Sequence, residues 1–226
     1  MNNNQIKITS KIKEAIQNNK PIVALESTLI SHGLPYPDNI SVANESIKAV
    51  EESGGIAATI GIINGIIKIG LNKDDIEILA STKNVEKVSL HNIALSLFNK
   101  KNAATTVAAT INIASKIGIN FFATGGIGGV HLDSENINDI SADLTELSRN
   151  KMFVVSSGAK SILDLEKTYE KLETLGIPRI SYNSNYFNCQ FYPSCSNYGA
   201  SAIKKYGFIK GTIIGSDRIT RCNPFA

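Results

Sequence analysis

Short apolar runs punctuate the chain and are separated by stretches in which apolar residues recur three and four positions apart. The runs Ile22–Leu25, Ile56–Ile63, Ile66–Leu71, Ile119–Ala123 and Lys151–Gly158 read as strands, Ile119–Ala123 and Lys151–Gly158 as buried ones. Asn64 and Gly65 break the second run from the third, which predicts a hairpin. Helices are predicted over 8–20, Asn39–Ser53, 73–80, Thr105–Lys116, Ala142–Arg149 and 161–176. In the last of these Ile162, Leu165, Tyr169 and Leu172 share a face, Ser161 and Asp164 resemble a cap, and Gly176 closes the helix. Val107, Ile111 and Ala114 form a comparable stripe, which reads as core. Further on, strands are expected at Pro178–Tyr182 and Thr212–Ile214, with a short helix at Ala202–Tyr206. Strands alternating with helices predict an α/β layered fold.

With 226 residues, 42% of them hydrophobic, the chain can bury one good-sized core, so a single domain over 1–226 is expected. A charge of +3, from 23 basic against 20 acidic residues, is too balanced for a dedicated nucleic-acid or membrane binder. No apolar run is long enough for a membrane span, and the polar amino-terminal stretch lacks a signal-peptide core, which points to the cytoplasm. Cys189, Cys195 and Cys222 are odd in number and form no CxxC pair, so they read as reduced thiols rather than a disulfide framework or a zinc site.

Three strand ends carry candidate chemistry. After Ile119–Ala123 come Gly125, Gly126, Gly128 and Gly129, then His131, then Asp133, Glu135, Asp139 and Asp143, with Ser141 placed to cap a helix from Ala142. Bare glycine amides followed by a histidine and carboxylates suit a phosphorylated ligand, with or without a metal. The competing reading is a tight strand-to-helix turn. No GK[ST] follows, and the spacing is GGxGG rather than GxGxxG, so neither a nucleoside-triphosphate loop nor a dinucleotide fingerprint is supported. Glu26 follows Ile22–Leu25 and is either an acid, partly desolvated at a strand end, or a glutamate satisfied by loop amides. Lys160 ends Lys151–Gly158 and precedes the predicted helix, where a helix dipole would lower its pKa and favour a nucleophilic amine. Lys87 stands before a weaker apolar segment, the position of an ordinary solvated lysine. Parallel strands would bring Glu26, the glycines and Lys160 to one rim, a set suited to imine chemistry on a sugar phosphate.

The stretches PIVALESTLISHGLPYP, KVS, TTVAAT, FFATGGIGGVH, DISADL, GAKSILDL and LETLG together resemble the pseudouridine-5′-phosphate glycosidase family, from about Ile12 to about Tyr182. The resemblance implies an α/β/α layered fold with a mostly parallel central sheet, a homotrimer, and one manganese ion per subunit. It implies cleavage of pseudouridine 5′-phosphate to uracil and ribose 5-phosphate. It matches Lys160 to the nucleophile that forms an imine with C1′, Glu26 to the proton donor, and Asp139 to the metal ligand, where a helix-capping aspartate is the alternative. It matches Lys87, Val107, Ser141, Ala142 and Asp143 to substrate contacts, and His131 to the phosphate. Carbon is a poor leaving group, so an imine at C1′ with an acid for the uracil carbon suits the reaction better than the carboxylate pair of ordinary glycosidases. The chain departs from the family at Leu90, His91 and Asn92, where an RDL-like run is usual, and at Leu132, where arginine is common. The family also continues past Ala226, with an asparagine that contacts uracil, so base recognition is expected to be weaker than phosphate recognition. Two rival expectations are another imine-forming phosphosugar lyase, and a non-catalytic homologue that binds phosphosugars.

Overall fold

Apolar on both sides and bracketed by hairpin and crossover partners, the strand Ile56–Ile63 is the centre of the architecture. The computed structural model describes residues 5–132, 139–160 and 162–178. The elements expected beyond Pro178, the three cysteines, Ser161, Asp133 and Glu135 lie outside the described residues. In chain order the elements are β1 (Ile6–Ile8), α1 (Ser10–Gln17), β2 (Ile22–Leu25), α2 (Thr28–His32), α3 (Asp38–Glu52), β3 (Ile56–Ile63), β4 (Ile66–Ile69), α4 (Lys73–Ser81) and β5 (Glu86–Val88). There follow α5 (Ile93–Phe98), β6 (Ala103–Thr105), α6 (Val107–Lys116), β7 (Phe121–Ala123), β8 (Val130–His131), α7 (Ala142–Arg149), β9 (Phe153–Val155), β10 (Leu163–Asp164) and α8 (Leu165–Thr174).

The main sheet runs β1-β4-β3-β2-β7-β9, with β6 beside β3 and β5 beside β6. Pairing is parallel for β1 with β4, β2 with β3 and β7, β7 with β9, and β5 with β6. It is antiparallel where β3 meets β4 and β6. The hairpin between β3 and β4 turns at Asn64 and Gly65, whose φ angles of 50° and 73° are the left-handed geometry a two-residue turn requires. Alternation along β3 sends Ile60 and Ile62 to one core and Ile63 to another. The first core takes Ile12 of α1, Ile111 of α6, Leu144 of α7 and Leu172 of α8. The second takes Ile30 of α2, Ala43 of α3 and Leu79 of α4. Helices therefore cover both faces, the layered α/β/α arrangement with a mostly parallel sheet. No helix among the described residues is long and apolar enough to cross a membrane.

Several boundaries differ from expectation. The helix expected over 8–20 is Ser10–Gln17, because Ile6–Ile8 instead adds a parallel strand to β4. The helix expected from Thr105 begins at Val107, since the Thr106 side chain accepts from Ala109 N and caps it. Ala103–Thr105 just before it is a strand held between β3 and β5. Lys151–Gly158 contributes only β9, the last strand of the described sheet, so it is not buried: Phe153 and Val155 are 52% and 57% exposed. The helix expected over 161–176 begins at Leu165, where the Asp164 side chain accepts from Lys167 N at 3.0 Å.

Candidate active site

Three parallel strands, β2, β7 and β9, end at one rim, and their register dictates what meets there. Leu25 pairs with Ala123, and Ala123 with Val155. The next residues are Glu26, Thr124 and Ser156, and the loops they begin enclose a cavity of about 530 Å³. Glu26, Gly125, Gly126 and Lys160 line it, as the sequence predicts for strand ends. Thr28, Leu29, His32 and Gly33 come from α2 and its carboxyl end, Lys87 from β5, and Ser157, Gly158 and Ala159 from the loop after β9.

Glu26 is partly buried, and hydroxyls rather than loop amides satisfy it. Thr28 Oγ1 donates to Oε2 and Thr124 Oγ1 donates to Oε1. Lys160 is held through its main chain: its N–H donates to the Ile127 carbonyl at 3.1 Å, and Ile127 N–H donates to the Gly158 carbonyl at 3.0 Å. This parallel bridge seats the glycine loop against the β9 loop. Ser157 Oγ donates to the Gly125 carbonyl and adds a second tie. Lys160 itself is exposed, and α8 begins five residues later, so it is neither buried nor at a helix start as the sequence suggested. Its candidacy as a nucleophile rests on its place in the wall of the cavity that Glu26 also lines.

The four glycines divide between two tasks. Gly125 has open space where a Cβ would be, and a Cβ on Gly126 would touch Gly158 O and Lys160 Cγ at 3.3 Å. These two face the cavity. Gly128 and Gly129 face the protein. A Cβ on Gly128 would overlap the Ser141 hydroxyl, and one on Gly129 would overlap the Thr168 hydroxyl. None of the four adopts a positive φ, so close approach is what requires glycine here. Gly128 N–H donates to Asp143 Oδ2 at 2.8 Å, which removes it from an anion cradle.

Asp143 is therefore a strut rather than an exposed substrate contact. It is 7% exposed, and its Oδ1 accepts from Ala108 N–H at 2.8 Å in the first turn of α6. The positive end of that helix favours a carboxylate there. Ser141 caps α7 by accepting from Asp143 N–H at 3.2 Å, and its own N–H donates to the Gly129 carbonyl at 2.9 Å. Val107 is 1% exposed, so its side chain offers a ligand nothing, while Ala142 is exposed.

His131 and Asp139 form a separate exposed pair. Their side chains are 46% and 62% exposed, His131 Nε2 lies 3.9 Å from Asp139 Oδ2, and His131 N–H donates to the Asp139 carbonyl. Because Ser141 caps α7, Asp139 is not the helix cap. Among the described residues no three His, Cys, Asp or Glu side chains group as metal ligands. One exposed carboxylate fits a hard, mostly hydrated divalent ion and does not fit a closed protein-only cage.

His32 was not singled out from sequence. Its ring lies in the cavity wall, and burial, then the Lys87 ammonium, hold its pKa below the ordinary value. The signal was available in SHGLPYP, a histidine placed just after the strand that delivers Glu26. Thr124 was missed as well, because only the β2–β7 register reveals that it faces Glu26.

The chain is similar to known proteins. The family profile described as Indigoidine synthase A like protein matches residues 11–206. A pseudouridine-5′-phosphate glycosidase of Staphylococcus aureus is 53% identical over 180 residues, covering 80% of this chain and 59% of that protein. The counterpart from Petrotoga mobilis is 48% identical over 186 residues, covering 82% and 61%. The chain thus spans about three fifths of the length of these curated relatives. Among solved structures, a prealnumycin C-glycosynthase in complex with ribulose 5-phosphate superposes with a TM-score of 0.71 at 44% identity, covering 76% of this chain and 56% of that one.

Proposed function

Since the chain belongs to the indigoidine synthase A-like protein family, we propose that it cleaves the carbon–carbon glycosidic bond of pseudouridine 5′-phosphate, giving uracil and ribose 5-phosphate. The observation that carries this reading is the meeting of Glu26, Lys160 and Lys87 on the wall of one cavity. The relatives' names and the pentose phosphate bound by the C-glycosynthase supply the substrate class.

In this reading Lys160 Nζ attacks C1′. The C1′–O4′ bond breaks, and the ring oxygen leaves with the electron pair and takes a proton released by the amine. Glu26 then gives its proton to the uracil carbon that bears the sugar. The C1′–carbon bond breaks, its electron pair returns to the pyrimidine ring, and the nitrogen lone pair completes the imine. Water hydrolyses the imine to the aldehyde of ribose 5-phosphate, and the proton left on Lys160 restores Glu26. Lys87, with His32 beside it and the main chain of Gly125 and Gly126, holds the phosphate. Among the other implied contacts, Ser141 and Asp143 serve by holding the loop, Val107 only through its main chain, and His131 and Ala142 from an exposed position.

Asp139, with His131 beside it, would hold one manganese ion per subunit mostly through water. Such an ion, when bound, would supply positive charge to offset a phosphorylated ligand. Association into a homotrimer belongs to the same proposal, supported by exposed apolar side chains such as Phe98 at 82%. So does a cytoplasmic location, because a phosphorylated nucleoside does not cross membranes unaided. The C-glycosynthase in complex with ribulose 5-phosphate favours a second reading, in which Lys160 forms an imine with a pentose phosphate whose partner is not uracil.

The test is uracil release from pseudouridine 5′-phosphate by the purified chain with manganese. Glu26→Gln should slow it by roughly 10²–10⁴-fold, the usual contribution of a positioned proton donor. Lys160→Ala should abolish it. Ribose 5-phosphate binding without uracil release would favour the second reading, and full turnover by Lys160→Ala would remove the mechanism.

A further inference from the structure

The Thr124 hydroxyl stands between two acceptors. It donates to Glu26 Oε1, and the Gly126 carbonyl oxygen lies 3.5 Å from Thr124 Oγ1. Gly126 N–H in turn points at Thr124 Oγ1, at 3.4 Å. The other oxygen of Glu26 has a different partner, Thr28 Oγ1, on the first residue of α2. Thr124 is fixed to the edge of the sheet by its own N–H, which donates to the Val155 carbonyl at 3.0 Å. Gly126 sits against Lys160. One hydroxyl proton, free to rotate, thus has a choice between the acid and the loop beside the amine.

We propose that Thr124 is a positioning residue for proton transfer from Glu26, its hydroxyl binding the carboxylate that forms and turning to Gly126 when Glu26 is protonated. The inference rests on Glu26 being the acid of the proposed reaction. When Glu26 gives up its proton, the O–H bond breaks, a C–H bond forms on the base carbon, and the electron pair stays on the carboxyl group. A hydrogen bond to an ionised acceptor is about twice as strong as one to a neutral acceptor. Thr124 therefore gains strength as the proton leaves, and a contact that strengthens toward the transition state raises kcat rather than lowering KM. Thr28 has one acceptor here and orients the carboxyl group in both states. The other charged or titratable groups facing the cavity are His32 from α2, Lys87 from β5 and Lys160 after β9, and none of them donates to Glu26.

The experiment combines Thr124→Val, Thr124→Ser and Glu26→Gln in the full chain. Thr124→Val should lower kcat roughly tenfold, the gap between a charge-assisted and a neutral hydrogen bond. Its KM should stay within about twofold, since ground-state binding is untouched. Thr124→Ser, which keeps the hydroxyl, should restore kcat. In the Glu26→Gln background Thr124→Val should cost nothing further, because the two act as a unit. Losses that multiply in the double variant, or a serine variant as slow as the valine variant, would overturn the proposal and leave Thr124 a fold residue. Full turnover by Glu26→Gln would instead sink the acid assignment on which it rests. A readout independent of turnover is isotope-edited infrared spectroscopy, at a pH high enough to ionise Glu26, of the carboxylate band that Glu26→Gln removes. That band should move in Thr124→Val and stay in place in Thr124→Ser, and an unmoved band in the valine variant refutes the contact.

Discussion

Replacing Asp143 with alanine should unfold the site rather than empty it. The carboxylate is 7% exposed and accepts two main-chain N–H groups at 2.8 Å, one from Ala108 in α6 and one from Gly128 in the glycine loop. Hydrogen bonds to a charged group contribute about 1.5–3 kcal/mol each. The amino end of α6 adds roughly 0.5–1 kcal/mol for a carboxylate placed there. Alanine removes all of these and leaves two donors without partners, so a loss of about 3–5 kcal/mol is expected. Against a stability of roughly 5–15 kcal/mol for a domain, that is a large fraction. Asparagine should recover part of it, because its single carbonyl oxygen can serve one N–H but presents an NH₂ to the other. Urea unfolding followed by circular dichroism reads the difference as a lower midpoint at constant m-value. An Asp143→Ala chain with an unchanged midpoint and a raised KM would show the residue to be a substrate contact and refute the strut.

Alanine at Gly128 should destabilise by about 1–3 kcal/mol or more, since its Cβ would stand 2.6 Å from Ser141 Cβ. Alanine at Gly125 should leave the melting temperature unchanged, because nothing lies within 4 Å of its Cβ; equal effects at the two sites would count against the division of the loop. The His32 imidazole should titrate below about 6.5 by NMR, as burial and Lys87 favour its neutral form. Since the folded chain then binds fewer protons than the unfolded one, stability should fall as pH drops below about 6.5. Ribose 5-phosphate should move that midpoint upward, and a stationary midpoint would place the phosphate elsewhere. Asp139→Ala should remove manganese dependence without a change in melting temperature, because the carboxylate is 62% exposed; unchanged metal dependence would exclude Asp139 as the ligand.

Elements whose signal is local were legible in the sequence. Asn64 and Gly65 mark the hairpin, and the apolar runs ending at Leu25 and Ala123 place Glu26 and the glycine loop at strand ends. What sequence concealed depends on contacts between distant segments. Ala103–Thr105 is a strand of small residues without an apolar signature, and only its neighbours β3 and β5 make it one. Asp143 follows the same pattern as a ligand-facing carboxylate, yet its partner in α6 lies 35 residues away. Ser161 and Asp164 both offer a cap for α8, and the structure uses Asp164, which moves the helix away from Lys160 and removes the dipole argument. Thr124 and Glu26 are 98 residues apart and meet only because β2 and β7 pair in register.

The central claim is that Lys160 forms a covalent imine with a phosphorylated aldopentose. Incubating the purified chain with ribose 5-phosphate and borohydride, then mapping the modified peptide by mass spectrometry, tests it directly. The account predicts one reduced ribose-phosphate adduct, on Lys160, absent from Lys160→Ala and formed from pseudouridine 5′-phosphate as well. An adduct carried mainly by Lys87, or spread over surface lysines with Lys160 unmodified, would contradict it.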